Sequence, residues 1–287
     1  MAKKTATILN GKAIADQYLH EIRRDLAAIR KSGHHGLTLA TLRVGHYKES
    51  LIYEKYLGTL FRRLGVGIRH TPHSCPENSS EKKVVAAVRA LSRDPHVTGI
   101  MVFSPLPDRI KHANVFENLD RLKDVEGRTF LKSHFGVFSP TANAAMALID
   151  RTGMALAGKE AVVIGHSDIV GKPMATLLMD RHATVTVCHK QTRDLRAHVA
   201  RADLVVTAVG KPNLIPGNWI KKGATVIDVG ESVVRGKVVG DVEFGRAKKR
   251  AAYLSPVPGG VGPLTNVMLI KNLILLYQLQ KARNGNR

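Results

Sequence analysis

The sequence predicts an α/β protein built from two domains. Short runs rich in Val, Ile and Thr alternate with helix-length segments, a pattern typical of parallel strands joined by helical crossovers. The chain has 287 residues, of which 44% are hydrophobic, so it can bury a large core. A length of this order corresponds to one or two domains, and the spacing of the elements favours two.

In the first half of the chain, the apolar residues predict helices and strands in alternation. Residues 13–32 and 50–64 have helical periodicity. The runs at 37–45 (LTLATLRVG) and 97–103 (VTGIMVF) predict strands. The second strand is stopped by PLP at 105–107, because proline cannot donate a hydrogen bond to a strand ladder.

The second half repeats the alternation more clearly. It contains four short β-rich runs: AVVIG (161–165), TVTVCH (184–189), LVVTAVG (204–210) and ATVIDVG (224–230). Helix-length segments separate several of them, as in a parallel sheet with crossover helices.

Composition narrows the function classes. Lys and Arg number 44 against 23 Asp and Glu, a formal net charge of +21 that would attract polyanions. The basic residues are spread along the chain and aromatic residues are only 5%. We therefore expect a highly charged soluble surface, with nucleic-acid binding as the less favoured alternative that the charge does not exclude. The sequence has no uninterrupted apolar run of about 18 residues and no apolar core of a secretory signal. We therefore expect a cytoplasmic protein that does not enter a membrane.

The two cysteines, Cys75 and Cys188, lie in unrelated contexts and predict no disulfide framework. His70 and His73 precede Cys75 closely and could be drawn as metal ligands. A fourth ligand at matching spacing is missing, so we predict no metal site and interpret this segment as a solvated loop.

A glycine-rich turn follows the predicted strand at 161–165. In AVVIGHSDIVGKPMATLLM, Gly165 and Gly171 bracket the turn, and Pro173 stands near the start of an apolar helix. The spacing is neither the usual dinucleotide fingerprint nor a phosphate loop. Small residues and a helix start nevertheless favour an anion at this point. A tight turn without a ligand is the alternative.

The next strand ends in TVTVCHKQTR, and its polar residues bear on cofactor choice. A carboxylate about 20 residues beyond the glycines suits the ribose hydroxyls of NAD, whereas a basic residue suits the 2′-phosphate of NADP. Here His189, Lys190 and Arg193 follow the strand, with no carboxylate before Arg193. This favours NADP, with NAD as the second candidate; the alternative is that these cations only face water.

Several long motifs together resemble one enzyme family. The segments AVVIGHSDIVGKPM, AVGKPNLIPGNWIKKGATVIDVG, GKVVGDV and PVPGGVGPLT occur in the order and spacing of the bifunctional methylenetetrahydrofolate dehydrogenase/cyclohydrolase family. NGKAIADQ, the region of Tyr53, PLP and KDVEG extend the resemblance over essentially the whole chain.

The resemblance implies an architecture and a reaction. A folate-binding catalytic domain would comprise residues 1–143 and 268–287, so that the last helix returns to it, and a Rossmann-like NAD(P)-binding domain would comprise residues 144–267. The substrate would bind in a cleft between them. The family oxidises 5,10-methylenetetrahydrofolate with NAD(P) and hydrolyses the methenyl product to 10-formyltetrahydrofolate, and it commonly forms homodimers.

The resemblance also implies site residues. The catalytic residues would be Tyr53 and Asp124. The substrate-binding residues would be Tyr53, Phe103, Pro105, Asp124, Pro258, Gly259, Gly260, Val261 and Gly262. The cofactor-binding residues would be Gly165, His166, Ser167, Ile169, Val170, Gly171, His189, Lys190, Val209, Gly210, Glu231 and Thr265.

The chain departs from the family pattern at its catalytic motif. The family has a lysine four residues after the tyrosine, where this chain has Leu57. Lys55 would point about 200° away from Tyr53 on a helix and cannot replace it. The family's glutamine before PLP is Phe103 here, and Ser104 would lie on the opposite strand face.

Three smaller departures accompany the missing lysine. The second acid of the KDVDG motif is Glu126, and Glu231 and Ala142 replace residues that are usually apolar and proline, respectively.

Three functions follow from these departures. The first is an NADP-dependent dehydrogenase with weak or lost cyclohydrolase activity, because a lysine suits proton transfer in hydrolysis more than hydride transfer. The second is the full bifunctional enzyme with displaced proton-transfer groups. The third is a repurposed or inactive paralogue that acts as a binding protein.

Overall fold

The computed structural model describes residues 5–32, 36–129 and 136–285. The helices are α1 (Gly11–Lys31), α2 (Lys48–Leu64), α3 (Glu81–Arg93), α4 (His112–Glu117), α5 (Pro140–Asp150), α6 (Gly171–Met179), α7 (Leu195–Arg201), α8 (Phe244–Ala247) and α9 (Val261–Gly285). The strands are β1 (Thr7–Ile8), β2 (Thr38–Val44), β3 (Arg69–Cys75), β4 (Gly99–Val102), β5 (Glu160–Ile164), β6 (Thr184–Cys188), β7 (Leu204–Thr207), β8 (Thr225–Asp228), β9 (Ser232–Val234), β10 (Lys237–Val239) and β11 (Tyr253–Leu254).

The chain forms two compact units, each with its own sheet. One unit comprises the residues up to Tyr18 together with Ser139–Met268, and we call it the six-stranded unit. The other comprises Leu19–Phe138 and Leu269–Arg287, and we call it the three-stranded unit. The α/β class and the two-domain organisation predicted from the sequence are confirmed.

The six-stranded unit contains a parallel sheet with the strand order β1-β11-β8-β7-β5-β6. The inner strands β5, β7 and β8 are buried almost throughout and rich in Val and Ile, as expected for strands covered on both faces. Apolar residues of these strands and of the flanking helices form one core cluster. The order places the carboxyl ends of β5, β6, β7 and β8 side by side, at the edge where open α/β sheets bind ligands.

The first strand of the chain belongs to this sheet. β1 pairs in parallel with β11, and Leu9 N donates to Leu254 O at 3.0 Å. The contacts therefore group the residues up to Tyr18 with the six-stranded unit, whereas the sequence division assigned them to the first domain. Two residues of β1 carry too little pattern to reveal a partner nearly 250 residues away. The domain bounds given by the resemblance stay a prediction.

The three-stranded unit contains the parallel order β3-β2-β4. The segment of His70, His73 and Cys75, interpreted above as a solvated loop, is the edge strand β3. Pro72 can lie in this strand because one side of an edge strand has no ladder partner. Its exposed polar residues hid the strand from a hydrophobicity pattern, although Cys75 is buried.

The last helix supports the loop that follows β4. Gln280 of α9 donates to Thr98 O at 2.8 Å and to Leu122 O at 2.6 Å. Asn272 donates to Val125 O at 2.9 Å and to Phe138 O at 2.8 Å. The return of the last helix, implied by the resemblance, is thus confirmed. These amide side chains satisfy buried carbonyls that would otherwise be costly.

Among the helices of the described chain, none has the length and apolar character that crossing a membrane requires.

Candidate active site

An aromatic group lies at the predicted catalytic tyrosine. The ring of Tyr53 on α2 meets Phe103, just after β4, edge to face, with ring centroids 6.1 Å apart. Tyr56 lies three residues after Tyr53 on the same helix. The two rings stack with centroids 6.1 Å apart and planes 19° from parallel. Burial raises the pKa of the Tyr53 phenol, and the charge of Glu126 raises it further. The hydroxyl therefore stays protonated at neutral pH and can donate a hydrogen bond.

Position 57, where a lysine would share a helix face with Tyr53, is part of the core. Leu57 is fully buried, while Lys55 is exposed on another face of α2. Neither residue therefore provides an ammonium group beside the tyrosine. The burial of the Leu57 side chain removes apolar surface from water and stabilises the fold instead.

Asp124 has a structural partner. Its Oδ2 accepts hydrogen bonds from Thr129 N at 2.7 Å and from Thr129 Oγ1 at 2.8 Å. The residue is 2% exposed, and burial raises the pKa of its carboxyl group. The backbone at Asp124 also forms a β-bridge with Ile100, which attaches this loop to β4. The Asp124 carboxylate thus has a part in shaping the loop. The catalytic role of Asp124 stays a prediction.

Glu126 and Arg128 form a charged pair near Tyr53. Arg128 Nε donates to Glu126 Oε2 at 3.1 Å, and the two side chains are 10% and 17% exposed, respectively. The guanidinium carbon lies 4.7 Å from the centroid of the Phe116 ring. Burial raises the pKa of the Glu126 carboxyl, whereas Arg128 lowers it. Glu126 is recognised from the sequence as a departure from the family motif, whereas Arg128 is not. The alternation of charged residues at 124, 126 and 128 is the signal that could have indicated it.

The loop is held in this shape by its glycine. Gly127 has a φ of +62°, and a Cβ there would come within 2.5 Å of Val137 O. A side chain would thus be strained and would also clash, so the turn between Glu126 and Arg128 requires glycine.

The PLP turn borders the same group. Phe103 is buried and its N–H donates to Leu42 O at 2.9 Å, while Pro105 is exposed. The Oγ of Ser104 is buried and has no hydrogen-bond partner among the described residues.

In the six-stranded unit, the turn after β5 is tightly folded. Gly165 has a φ of +113°, and a Cβ on Gly171 would come within 2.1 Å of Gly165 O. Ser167 Oγ accepts a hydrogen bond from Val170 N at 3.2 Å, and Lys172 N donates to Ser167 O at 3.0 Å. The turn thus directs the chain into α6, with backbone at the helix start.

Two histidines meet at the ends of adjacent strands. The rings of His166, after β5, and His189, after β6, are 5.2 Å apart between centroids. His189 Nδ1 accepts a hydrogen bond from Gln191 N at 3.2 Å, and His189 N donates to Thr192 Oγ1 at 2.8 Å. Lys190 is exposed beside them. A neutral His189 therefore carries its proton on Nε2, and the cluster offers N–H donors and a positive charge.

A buried aspartate holds the loop after β7. Asp241 is fully buried and accepts hydrogen bonds from Thr207 Oγ1 at 2.8 Å, Val209 N at 2.7 Å and Lys211 N at 2.7 Å. Gly210 between the two backbone donors has a φ of +72°. The predicted cofactor-binding pair Val209 and Gly210 is exposed in a shape that Asp241 imposes.

A second buried aspartate holds the loop after β8. Asp228 accepts hydrogen bonds from Gly230 N at 3.0 Å, Asp241 N at 3.1 Å and Val242 N at 2.8 Å. A Cβ on Gly230 would come within 2.1 Å of the Asp241 carboxylate, and one on Gly240 within 2.2 Å of the Asp228 carboxylate. The motifs DVG and VGDV thus form one structural unit. In the sequence they are recognised only as parts of the family resemblance.

The carboxyl group of Asp228 predicts a pH dependence of stability. Burial raises its pKa to about 7, and Asp241 adds to the effect, although the backbone N–H donors act in the opposite direction. The folded state therefore retains a proton that the unfolded state releases near pH 4, so stability is lost as the pH rises towards 7. We expect the difference in unfolding free energy between the wild type and Asp228→Asn to fall by about 2 kcal/mol between about pH 5 and about pH 7. Urea unfolding of both proteins measures it, and a difference that stays constant over this range would contradict the assignment.

The glycines of PVPGGVGPLT are used within the six-stranded unit. A Cβ on Gly260 would come within 2.6 Å of Pro256 O, and Gly259 has a φ of +104°. Gly11, at the start of α1, lies so close to Gly260 that a Cβ added to Gly11 would clash with Gly260 O. The N–H of Gly11 donates to Gly259 O at 2.9 Å. Gly11 in NGKAIADQ and the PVPGG turn therefore pack on each other.

The remaining predicted residues lie around this turn. Glu231 is exposed, and its Oε1 would be 3.4 Å from a Cβ on Gly262. Thr265 Oγ1 donates to Val261 O within α9. Pro258 and Gly262 are exposed, and Val261 is buried.

The predicted site residues form two groups. Tyr53, Phe103, Pro105 and Asp124 belong to the three-stranded unit, where Tyr53 and Phe103 are in contact. The predicted cofactor-binding residues, with 258–262, belong to the six-stranded unit, along the carboxyl ends of its strands. No His, Cys, Asp and Glu side chains in the described ranges form a group of three suited to a metal ion.

Comparisons with known proteins match both halves of the chain. Residues 9–126 match the family model of the tetrahydrofolate dehydrogenase/cyclohydrolase catalytic domain, and residues 139–281 match the NAD(P)-binding domain of the same family. The bifunctional protein FolD 2 of Geobacter metallireducens is 42% identical and covers 98% of this chain and 100% of that protein. The bifunctional protein FolD of Methylobacillus flagellatus is 41% identical over 97% of this chain and 98% of its own length.

Solved structures extend the similarity to three dimensions. The bifunctional enzyme FolD of Campylobacter jejuni has a TM-score of 0.90 at 35% identity, covering 96% of this chain and 99% of that one. The Trypanosoma brucei methylenetetrahydrofolate dehydrogenase-cyclohydrolase, complexed with NADP cofactor and inhibitor, has a TM-score of 0.87 at 34% identity, with the same coverage. This chain belongs to the tetrahydrofolate dehydrogenase/cyclohydrolase family.

Proposed function

We propose that the protein is a bifunctional enzyme that oxidises 5,10-methylenetetrahydrofolate with NADP and hydrolyses the methenyl product to 10-formyltetrahydrofolate. The observation that carries this proposal is the group of Tyr53, Phe103, Glu126 and Arg128, which combines aromatic surface with a protonated phenol and a charged pair. Curated relatives at 41 to 42% identity over nearly their whole length are named as bifunctional.

The six-stranded unit fits NADP. Gly165 and Gly171 leave no room for a Cβ in the turn after β5, so the backbone there is open to a ligand at the start of α6. His166, His189 and Lys190 would hold the 2′-phosphate, and Val209 with Gly210 would lie along the cofactor. When bound, NADP supplies the hydride acceptor. NAD is the second candidate cofactor, since the cationic cluster favours a 2′-phosphate but still allows a cofactor without one to bind.

In the three-stranded unit, the residues have distinct tasks. Tyr53 and Phe103 provide an aromatic surface on which a pterin or aminobenzoyl ring would stack, which orients the substrate for hydride transfer. The Tyr53 hydroxyl would donate a hydrogen bond to the substrate. Asp124 would keep the loop of Glu126 in place through its hydrogen bonds to Thr129. Its role towards the substrate stays proposed, as does that of Pro105 and residues 258–262.

The two leading candidate functions differ in whether the protein hydrolyses methenyltetrahydrofolate. Because Leu57 replaces the family's lysine, the sequence predicts weak or lost cyclohydrolase activity. Leu57 is completely buried, so a dehydrogenase without hydrolysis is our second candidate. We favour the bifunctional enzyme because Glu126 offers a carboxylate close to Tyr53 that can take up a proton.

We also propose that the protein is a cytoplasmic homodimer, as the family commonly is. Val233, Val234 and Val238 on the ribbon of β9 and β10 are exposed, which supports association with a second chain through this unit. Analytical ultracentrifugation would give a single species of about twice the 31.3 kDa chain mass if this is right.

One pair of assays tests the function. The purified protein is supplied with methylenetetrahydrofolate and either NADP or NAD, and the absorbance of the methenyl product is followed; the decay of added methenyltetrahydrofolate is measured separately. We expect NADP-dependent oxidation and accelerated decay. Oxidation with decay at the uncatalysed rate would support the dehydrogenase-only function. The absence of both activities together with measurable NADP binding would support a binding protein.

A further inference from the structure

The loop after β4 carries two carboxylates, which differ in their burial and in their hydrogen-bond partners. Asp124 is 2% exposed and accepts two hydrogen bonds from Thr129. Glu126 is paired with Arg128 at 3.1 Å and keeps 17% of its side chain exposed. It lies two residues after Asp124, whose bridge to Ile100 attaches this loop to β4, the strand that leads to Phe103 and its contact with the Tyr53 ring. Burial raises the pKa of the Tyr53 phenol, and the charge of Glu126 raises it further. Glu126 is therefore the carboxylate of this loop that a substrate or a water molecule beside Tyr53 would meet.

Arg128 is held from two sides. Its guanidinium packs on the face of Phe116 and donates to Glu126. Stacking and a charge-assisted hydrogen bond fix a planar guanidinium more firmly than they would a lysine ammonium. Arg128 cannot release its proton in a protein, so it supplies a permanent charge and no proton transfer.

We propose that Glu126 is the proton acceptor of the hydrolytic step and that Arg128 is the positioning residue that orients its carboxylate. This inference rests on the proposed function of the site. The water oxygen bonds to the methenyl carbon, and the proton that the water loses passes to Glu126. The bond from that carbon to N5 then breaks as the carbonyl forms; Glu126 gives its proton to N5, and the proton of the hydroxyl group leaves to solvent. The net reaction consumes the cation and water and yields the neutral formyl compound and one proton.

The charged environment of Glu126 sets the direction of the pH dependence. Burial raises the pKa of the Glu126 carboxyl, Arg128 lowers it, and the charge of Asp124 raises it. The Tyr53 phenol, on which the charge of Glu126 acts, carries no charge of its own. Hydrolysis should rise with pH as Glu126 ionises. Without the guanidinium, ionisation requires a higher pH, so the midpoint of this rise should move upward.

The chain offers a matched control for the loss of an ion pair. Arg43 Nε donates to Glu54 Oε2 at 3.2 Å, and these side chains are 17% and 13% exposed. Glu54 Oε1 also accepts from Thr41 Oγ1, on the face of the sheet under α2. Arg43→Leu therefore removes an arginine of similar burial from the same unit without touching the Glu126 loop.

The experiment compares the wild type with Glu126→Gln, Arg128→Leu, Arg128→Lys and Arg43→Leu. For each protein, the rates of methenyl hydrolysis and of methylene oxidation are measured from about pH 5 to about pH 8. For Glu126→Gln we expect the ratio of hydrolysis to oxidation to fall by roughly 100-fold. Arg128→Leu should move the hydrolysis midpoint upward, Arg128→Lys should restore it because the charge is kept, and Arg43→Leu should change neither the ratio nor the midpoint.

The outcomes separate this inference from the function on which it rests. A ratio within about threefold of the wild type in Glu126→Gln overturns the inference, as does a midpoint that is the same in Arg128→Leu and Arg128→Lys. Oxidation without hydrolysis in the wild type also overturns it and leaves the dehydrogenase intact. Absence of both activities in the wild type overturns the proposed function itself. If Glu126→Gln does not fold, as judged by circular dichroism, the comparison of the two Arg128 variants decides.

Discussion

Replacing Asp241 by alanine is expected to lower the free energy of unfolding by about 3 to 5 kcal/mol. The carboxylate is fully buried and accepts hydrogen bonds from Thr207 Oγ1, Val209 N and Lys211 N. Its removal leaves three donors without their acceptor: the buried Thr207 hydroxyl and the partly buried N–H groups of Val209 and Lys211. A buried donor left unpaired costs about 1 to 3 kcal/mol, and partly buried ones add to that loss. Denaturant unfolding followed by circular dichroism measures the loss.

The matched control for Asp241 is Asp150, an exposed aspartate of the same unit. Asp150 accepts from Arg181 Nη1 at 3.3 Å, and about half of each side chain is exposed. Exposed ion pairs contribute about 0 to 1 kcal/mol, so Asp150→Ala should change stability by no more than that. A cost for Asp241→Ala as small as that of Asp150→Ala would mean that the loop at Val209 and Gly210 does not depend on the buried carboxylate.

Reversing the charge of Lys190 is expected to weaken NADP binding by roughly 100-fold while changing NAD binding little. Lys190 is exposed beside the paired rings of His166 and His189. A charge-assisted hydrogen bond to a phosphate contributes about 1.5 to 3 kcal/mol, and a carboxylate in the same place repels the 2′-phosphate that only NADP carries. Calorimetric titration of Lys190→Glu with both cofactors at one fixed salt concentration gives the two dissociation constants.

Lys222→Glu is the control for charge reversal in this unit. Lys222 is exposed and shortly precedes β8, so it lies at the amino ends of the parallel strands, away from the predicted cofactor loops. It changes the net charge by the same amount and should leave the ratio of the two dissociation constants unaltered. Equal weakening of NADP and NAD in Lys190→Glu would show that the lysine does not recognise the 2′-phosphate.

The sequence was most informative where local rules act alone. The strands β5, β6, β7 and β8 were predicted within one to three residues. β5, β7 and β8 are buried and form short apolar runs bounded by polar or glycine residues, while the edge strand β6 is recognised by its alternating Thr and Val residues. The strand β3 was missed because it is a polar edge strand that contains Pro72. Its pairing with β2 supplies what its own residues do not indicate.

In the candidate site too, some features follow from local sequence and others only from contacts between distant segments. The positions of Tyr53 and Leu57 on one helix face follow from helical periodicity, and the turn from Gly165 to Gly171 follows from glycine spacing. The pairing of Glu126 with Arg128, and the placement of Phe116 against the guanidinium, depend on the path of a loop that Gln280 and Asn272 anchor from the end of the chain. A pattern within one segment carries no information about such distant contacts.

The sequence by itself therefore determined the α/β class, the order of the main elements, the family and the presence of basic residues directly after β6. The tertiary structure alone decided which partners Asp124 and Glu126 have and which buried aspartates shape the loops after β7 and β8. The physical reason is that periodicity and turn chemistry are properties of neighbouring residues, whereas burial and hydrogen-bond partners arise only when segments far apart in the chain pack together.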